Sequence, residues 1–270
     1  MNIEHLKNQI KYYKNKYGIR KTIKKCISKI WNKIKVVFKN RSVLKMDAYH
    51  KWIYFNEPNF KELQEQKEYK FDKNPKISII VPMYNTPVKY FKELVECLIN
   101  QTYSNWELCL ADGSENKNSE IEKICNKDER IKYKFLNSNK GISENSNRAL
   151  ELATGDYIAL LDHDDLLPEF ALFEIVKTIN ENPEVEFIYT DEDKCTTIKN
   201  RYDPHFKPDF AIDTLRSVNY ICHFSIYKKE LMDKLGGFRS EFDGAQDYDL
   251  ILRMSETTNK IVHISKILYH

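Results

Sequence analysis

The spacing of apolar residues along the chain changes twice. Up to residue 45 they recur in steps of three and four: Ile3, Leu6, Ile10, Tyr13 and Tyr17, then past Gly18 Ile23, Ile27, Ile30, Ile34 and Val37. That spacing collects them on one face of a helix while lysines fill the other. Residues 46–75 lose the period and predict a linker that packs on the body through Trp52, Tyr54 and Phe55. From Lys76 to His270 a different regularity begins, in which short apolar runs alternate with helically spaced segments. Strands are expected at Ile77–Val81, Trp106–Ala111, Ile131–Leu136, Tyr157–Leu161 and Val185–Tyr189. Helices are expected between them, at Val88–Asn100 with Phe91, Leu94, Val95 and Leu98 on its stripe, at Ser119–Asn126, and at Ser143–Ala153 closed by Gly155. A further helix opens at Pro168.

Strands linked by crossover helices predict an α/β domain with a mostly parallel central sheet, helices on both faces, and a ligand site outside the carboxyl ends of the strands. Those ends carry Pro82-Met83-Tyr84-Asn85, Asp112-Gly113-Ser114, Leu161-Asp162-His163-Asp164-Asp165 and Asp191-Glu192-Asp193. Carboxylates crowded together cost free energy to desolvate unless a cation or a donor compensates them. The acidic rim therefore suits a hard divalent cation, Mg²⁺ or Mn²⁺, that bridges a diphosphate. Among seven glycines none forms G-x-G-x-x-G or a phosphate-cradling loop, so a phosphate ligand needs such a counter-charge.

Charge divides the chain. Of its 43 bases and 40 acids, fourteen and one fall in the first 45 residues, leaving 29 and 39 beyond. The basic amphipathic segment suits an anionic membrane surface, or a partner or its own domain as the alternatives. No nucleic acid is expected among the partners. Six cysteines without a C-x-x-C pair point to a reduced, cytoplasmic setting, peripheral on the inner face of the cell membrane. No apolar run is long enough to span a bilayer and no signal-peptide core is present, so export by the usual route is not expected.

Two aspartates near the C-terminus compete for a base role. Asp247 precedes Leu250 and Ile251 by three and four residues and is expected on the inward stripe, whereas Asp249, four before Arg253, suits a surface ion pair. Asp247 is favoured. His163, His223 and His263 read as packing or hydrogen-bonding residues. Lys140 and Arg148 either approach a diphosphate or decorate a helix surface.

Several motifs together resemble the family 2 inverting glycosyltransferases of the glycosyltransferase-A fold, in the branch that builds bacterial surface polysaccharides. They are Ile79-Ile80-Val81-Pro82-Met83-Tyr84-Asn85, Ala111-Asp112-Gly113-Ser114, Ala153-Thr154-Gly155-Asp156-Tyr157-Ile158, Leu161-Asp162-His163-Asp164-Asp165, Tyr189-Thr190-Asp191-Glu192-Asp193-Lys194, Gly236-Gly237-Phe238-Arg239 and Gln246-Asp247-Tyr248-Asp249-Leu250. The resemblance covers Lys76 to His270 and implies a nucleotide-sugar donor, expected to be UDP-linked, a glycan or lipid-linked acceptor, and a metal, Mn²⁺ or Mg²⁺, held by a D-x-D motif. It assigns Asp162 and Asp164 to that motif, with Asp162 also near the nucleotide, and Pro82, Tyr84, Asn85 and Asp112 to the nucleoside. Asp247 takes the catalytic position and His270 that of a histidine completing the metal shell. Asp191, Asp193 and Gln246 border the donor or acceptor pocket. Relatives commonly continue past this point, which makes the chain either a truncated or a minimal enzyme. The competing reading is a catalytically silent nucleotide-sugar or glycan-binding module; a phosphatase of the haloacid dehalogenase type fits less well, because Asp165-Leu166 follow Asp164.

Overall fold

The computed structural model describes residue 43 and residues 46–198 and 200–270. Apart from Val43, the basic segment 1–45 lies outside the described residues. The chain divides into two units, Met1–Glu57 and Pro58–His270. In the first, helix α1 (Ala48–Asn56) starts at Asp47, whose carboxylate accepts the His50 N–H, and Tyr49 stacks on Trp52.

The second unit opens with α2 (Phe60–Glu68), begun by a reciprocal capping box between Asn59 and Glu62. Tyr69 and Phe71 then pack their rings on Phe173, and Asn180 holds both backbone groups of Lys73. The strands follow as β1 (Ile77–Met83), β2 (Trp106–Asp112), β3 (Ile131–Phe135), β4 (Tyr157–Leu160), β5 (Phe187–Thr197), β6 (Asn200–His205), β7 (Ser225–Lys228) and β8 (Ile261–Tyr269). The helices are α3 (Val88–Ile99), α4 (Ser119–Cys125), α5 (Ile142–Leu150), α6 (Ala171–Glu181), α7 (Ile212–Ser217), α8 (Lys229–Leu235) and α9 (Gln246–Thr257).

The sheet runs β3-β2-β1-β4-β7-β5-β6, with β8 also paired to β5. β1 to β4 are mutually parallel, β7 runs antiparallel to both β4 and β5, and β8 is parallel to β5. The parallel pattern expected from crossovers thus holds on one half, and the short β7 makes the whole sheet mixed. β1 explains why its sequence is apolar almost throughout. Ile77, Ile79, Val81 and Met83 face the core built with Phe91, Leu94 and Leu98 of α3 and with α6. Ile80 faces the second core, with Ala149 of α5 and Leu250, Ile251 and Met254 of α9. A strand covered on both faces has no solvent side to keep polar.

Candidate active site

At the carboxyl ends of β1 and β4 an open cleft is lined by Pro82, Asp162, His223, Phe238, Gln246 and Asp247, among others. β1 delivers Pro82, and β4 runs out through Leu161 into Asp162. The first turn of α9 delivers Gln246 and Asp247, a position that favours carboxylates because helix N-termini expose unpaired N–H groups. Asp247 Oδ2 accepts from Asn219 Nδ2 at 2.9 Å, and the Asn219 side-chain oxygen accepts the Cys222 N–H at 3.2 Å. Asp247 is half-buried. Asp249, expected on the surface, is the buried one of the two, clamped by Arg239 and by Arg253, the latter at 2.8 Å. Those two guanidiniums, working against desolvation, hold its carboxyl below the usual carboxylate range. Arg253 also donates to the carbonyls of Leu235 and Gly237, which ties the double-glycine loop and Phe238 to α9.

The Asp162–Asp165 turn separates its carboxylates. Asp162 faces the cleft, with the Nε2 of His223 at 3.7 Å from its Oδ2. Asp164 is exposed and lines a neighbouring groove with Lys89, Tyr90, Glu93 and Cys195. Asp165 turns inward: burial pushes its carboxyl up to about 6, against the hydrogen bond it accepts from the Tyr269 hydroxyl at 2.5 Å. Among the described residues no three His, Cys, Asp or Glu side chains form a ready-made metal cage. The donor chemistry still fits a hard cation that takes part of its shell from substrate phosphates, as Mg²⁺ does, because Asp162 and Asp164 are carboxylates open to the surface.

The remaining rim acids find their partners inside the chain. Asp112 Oδ1 accepts from Ser114 N–H at 2.9 Å and from its hydroxyl, while Oδ2 accepts from the Tyr133 hydroxyl at 2.8 Å. Ser114 Oγ in turn accepts the Asn85 N–H at 2.8 Å; Asn85 and Tyr84 are exposed just beyond β1. Asp191 is held by the Lys207 N–H and by His263 Nε2 at 2.9 Å. Asp193 binds Arg201 Nε and His270 Nδ1, each at 2.6 Å. A terminal residue is expected to fray, yet His270 is buried and its backbone pairs on both sides with Leu166, at 2.9 and 3.0 Å. Arg148 is occupied by Glu144 and Glu151; Lys140 and Arg148 line a separate cleft beyond β3.

Two residues of consequence, Lys207 and Asn219, escape a reading of the sequence. Lys207, whose ammonium is wholly buried, donates to Glu192 at 2.9 Å and to the carbonyls of Ile221 and His223. Burial lowers its pKa, opposed by Glu192. Asn219 holds the same segment through the Cys222 N–H, and neither periodicity nor a motif marks it; His223, expected as a packing or hydrogen-bonding residue, lies on that segment and lines the cleft.

The family model for glycosyl transferase family 2 matches residues 78–236, and the chain belongs to that family. It is 43% identical over 201 residues to an uncharacterized protein of Sinorhizobium fredii, covering 72% of this chain and 22% of that one. It is 31% identical to the O-antigen biosynthesis protein RfbC of Myxococcus xanthus, covering 82% and 18%. It is 30% identical to the chondroitin synthase of Pasteurella multocida, covering 73% and 20%. The chain thus spans about a fifth of the length of these relatives. In structure it is similar to S. aureus TarS 1-349 in complex with UDP, at TM-score 0.61 and 24% identity, covering 72% of this chain and 59% of that one. It is also similar to the mannosyltransferase PcManGT of Pyrobaculum calidifontis in complex with GDP-Man and Mn²⁺, at TM-score 0.52 and 18% identity, covering 75% and 62%. The fold is that of the glycosyltransferase-A enzymes: a mixed, mostly parallel sheet between helices.

Proposed function

We propose that the domain transfers a sugar, with inversion, from a nucleoside-diphosphate sugar, UDP-linked, to a hydroxyl of a surface-glycan or lipid-linked acceptor at the cytoplasmic face of the membrane. The observation that carries this reading is that Asp162 and Asp247 line one cleft at the carboxyl ends of β1 and β4. Inversion needs one base on the acceptor side and charge neutralisation on the leaving side. Asp247 is the base: Asn219 holds Oδ2, which leaves Oδ1 to take the acceptor proton. Pro82, Tyr84, Asn85 and Asp112 form the nucleoside end, Asp112 being oriented by Ser114 and Tyr133. Asp162 and Asp164 hold a divalent cation, with His270 as the third candidate ligand, and Gln246, Asp191 and Asp193 shape the surrounding pocket. A bound Mn²⁺ or Mg²⁺ supplies Lewis-acid stabilisation of the departing diphosphate. The relatives named for O-antigen and chondroitin synthesis, and the UDP complex of a structural neighbour, support this choice of donor and acceptor class.

A thermal-shift screen of nucleotide sugars with and without Mn²⁺ tests the reading, since a ligand selective for the folded state raises apparent stability. One donor is expected to stabilise in a metal-dependent manner, and Asp164→Ala to remove the metal-dependent part. Asp247→Asn is expected to retain donor binding while transfer falls by about 10²–10⁴, the range for a general base. Binding without turnover of any donor by the wild-type protein would instead describe a binding module.

A further inference from the structure

We propose that Lys207 is a positioning residue: its buried ammonium fixes the turn 219–223 against β5, and through Asn219 of that turn it sets where the Asp247 carboxylate stands. The proposal deepens the glycosyltransferase reading and rests on it for the role of Asp247 as the base.

Lys207 is tied to the sheet twice. Its backbone N–H donates to Asp191 Oδ1 at 2.8 Å and its ammonium to Glu192 Oε2 at 2.9 Å, and both acids are β5 residues. The ammonium also donates to the carbonyl of Ile221, at 2.6 Å, and to that of His223. An ammonium carries three N–H groups, and here each has an acceptor. Glu192 Oε2 closes the ring by accepting the His223 N–H at 3.3 Å. The turn is tightened within itself as well. The Asn219 side-chain oxygen accepts the Cys222 N–H at 3.2 Å, and the Cys222 thiol donates to the Asn219 carbonyl at 3.1 Å. The Asn219 amide nitrogen then reaches α9, where it donates to Asp247 Oδ2 at 2.9 Å. A continuous run of contacts thus leads from β5, whose Phe187, Ile188 and Tyr189 are fully buried, to the carboxylate in the cleft.

Stability alone does not account for a lysine at this place. Burying an ammonium is costly even when it is paired, and a hydrophobe of similar volume often matches or exceeds such a pair. What a hydrophobe lacks is direction. Donors splayed from one nitrogen hold two carbonyls and a carboxylate in a fixed relation. The carbonyls of Ile221 and His223 lie outside every strand and helix, so the lysine supplies what a backbone ladder supplies elsewhere.

The base needs such placement. It acts only within hydrogen-bond reach of the proton it takes, and a misplacement of about 1 Å can cost on the order of 10²-fold in rate. Asp247 stands in the first turn of α9 on a short side chain with several staggered rotamers, and the bond from Asn219 selects one of them.

Two measurements on the full chain test this, on Lys207→Met, Asn219→Ala and the two substitutions combined. In a crystal structure of Lys207→Met the fold is expected to persist while Asn219 moves out of hydrogen-bond reach of Asp247; an unmoved contact overturns the proposal. Turnover is read as UDP released from UDP-N-acetylglucosamine, UDP-glucose and UDP-galactose in Mn²⁺ with water as acceptor, beside calorimetric titration with UDP. Each single variant is expected to lower kcat about 10- to 100-fold. UDP affinity should stay close to that of the wild type, because Pro82 and Asp112 are carried by β1 and β2. Affinity falling in step with kcat would mean a collapsed cleft and overturn the proposal. Because Lys207 acts through Asn219, the combined variant should be no slower than Asn219→Ala, whereas independent losses multiply; multiplied losses overturn it too. Should Lys207→Met fail to fold, Lys207→Met with Glu192→Gln, which leaves no orphaned carboxylate, carries the same measurements. Failure of both to fold would make the lysine a requirement of folding and remove the positioning role. A wild type that binds UDP yet releases none from any of the three donors counts against the transferase reading, while the crystal structures still decide whether Lys207 places Asp247.

Discussion

Glu107 is buried on β2 yet charged, and its surroundings explain how. Desolvation pushes its carboxyl up, but Lys132 and Lys76, at 2.8 and 2.5 Å, together with Ser78 and the Thr154 N–H, bring it down from 4.5 to about 2. A carboxyl lowered on folding contributes stability above its unfolded value and loses it as the pH falls through the folded one. The loss should therefore fall between about pH 4.5 and 2, on the order of 3 kcal/mol for this group. Glu107→Gln is expected to destabilise the protein at pH 7 and to flatten that part of the profile, as read by urea denaturation at a series of pH values. An unaltered profile would show that Glu107 is not the group responsible. Residue-level chemistry of this sort was partly legible. Acids at strand ends are visible in the sequence, but whether each finds an internal donor is not. Asp112 meets Tyr133 from the next strand, and Asp193 meets Arg201 and His270 from elements far along the chain. The choice between Asp247 and Asp249 rested on helical spacing, which could not register Arg239 arriving from another loop to bury Asp249.

At the scale of elements, α9 and the double-glycine loop behave as one piece. Gly236 caps α8 at φ 74°, and Gly237 at φ 73° sits where a Cβ would meet Asn147 Oδ1 at 2.4 Å. Asn147 fastens the same loop from α5, pairing with both backbone groups of Phe238. Arg253 closes it from α9. Arg253→Met keeps the aliphatic stem but releases two carbonyls and half of the Asp249 clamp. It should cost about 3 kcal/mol, the scale of a broken buried ion pair, and lower UDP affinity because Phe238 is a wall of the cleft. Chemical denaturation and titration of the same variant check both; a stable variant with weakened UDP binding would locate the clamp's effect in the site alone. Elements with a strong period, α3 and β1 to β4, were legible to within a few residues because both faces of the sheet are covered and their apolar runs are long. β7 was not: four residues inside an irregular stretch carry no period, and their antiparallel place between β4 and β5 is decided by pairing across the sheet.

Across the whole molecule the dominant feature is the separation of charge. Fourteen bases against one acid in the first 45 residues precede 29 bases against 39 acids. Among the described residues no helix is long and apolar enough to cross a membrane. A body of net negative charge is repelled by an anionic bilayer, and only the basic segment can reverse that sign. Near such a surface each Lys or Arg contributes about 1 kcal/mol, an attraction that decays over roughly 8 Å at physiological salt. The full chain is therefore expected to sediment with phosphatidylserine-containing vesicles at low salt, to be released as salt is raised, and to ignore neutral vesicles. Replacing Lys24, Lys25, Lys29 and Lys33 together by Glu keeps the length and the apolar stripe while reversing four charges. That variant should lose vesicle binding yet retain the metal-dependent response to nucleotide sugar, because residues 78–236 carry the family match. Unchanged vesicle binding by this variant would exclude the electrostatic account and turn the amphipathic face toward a protein partner.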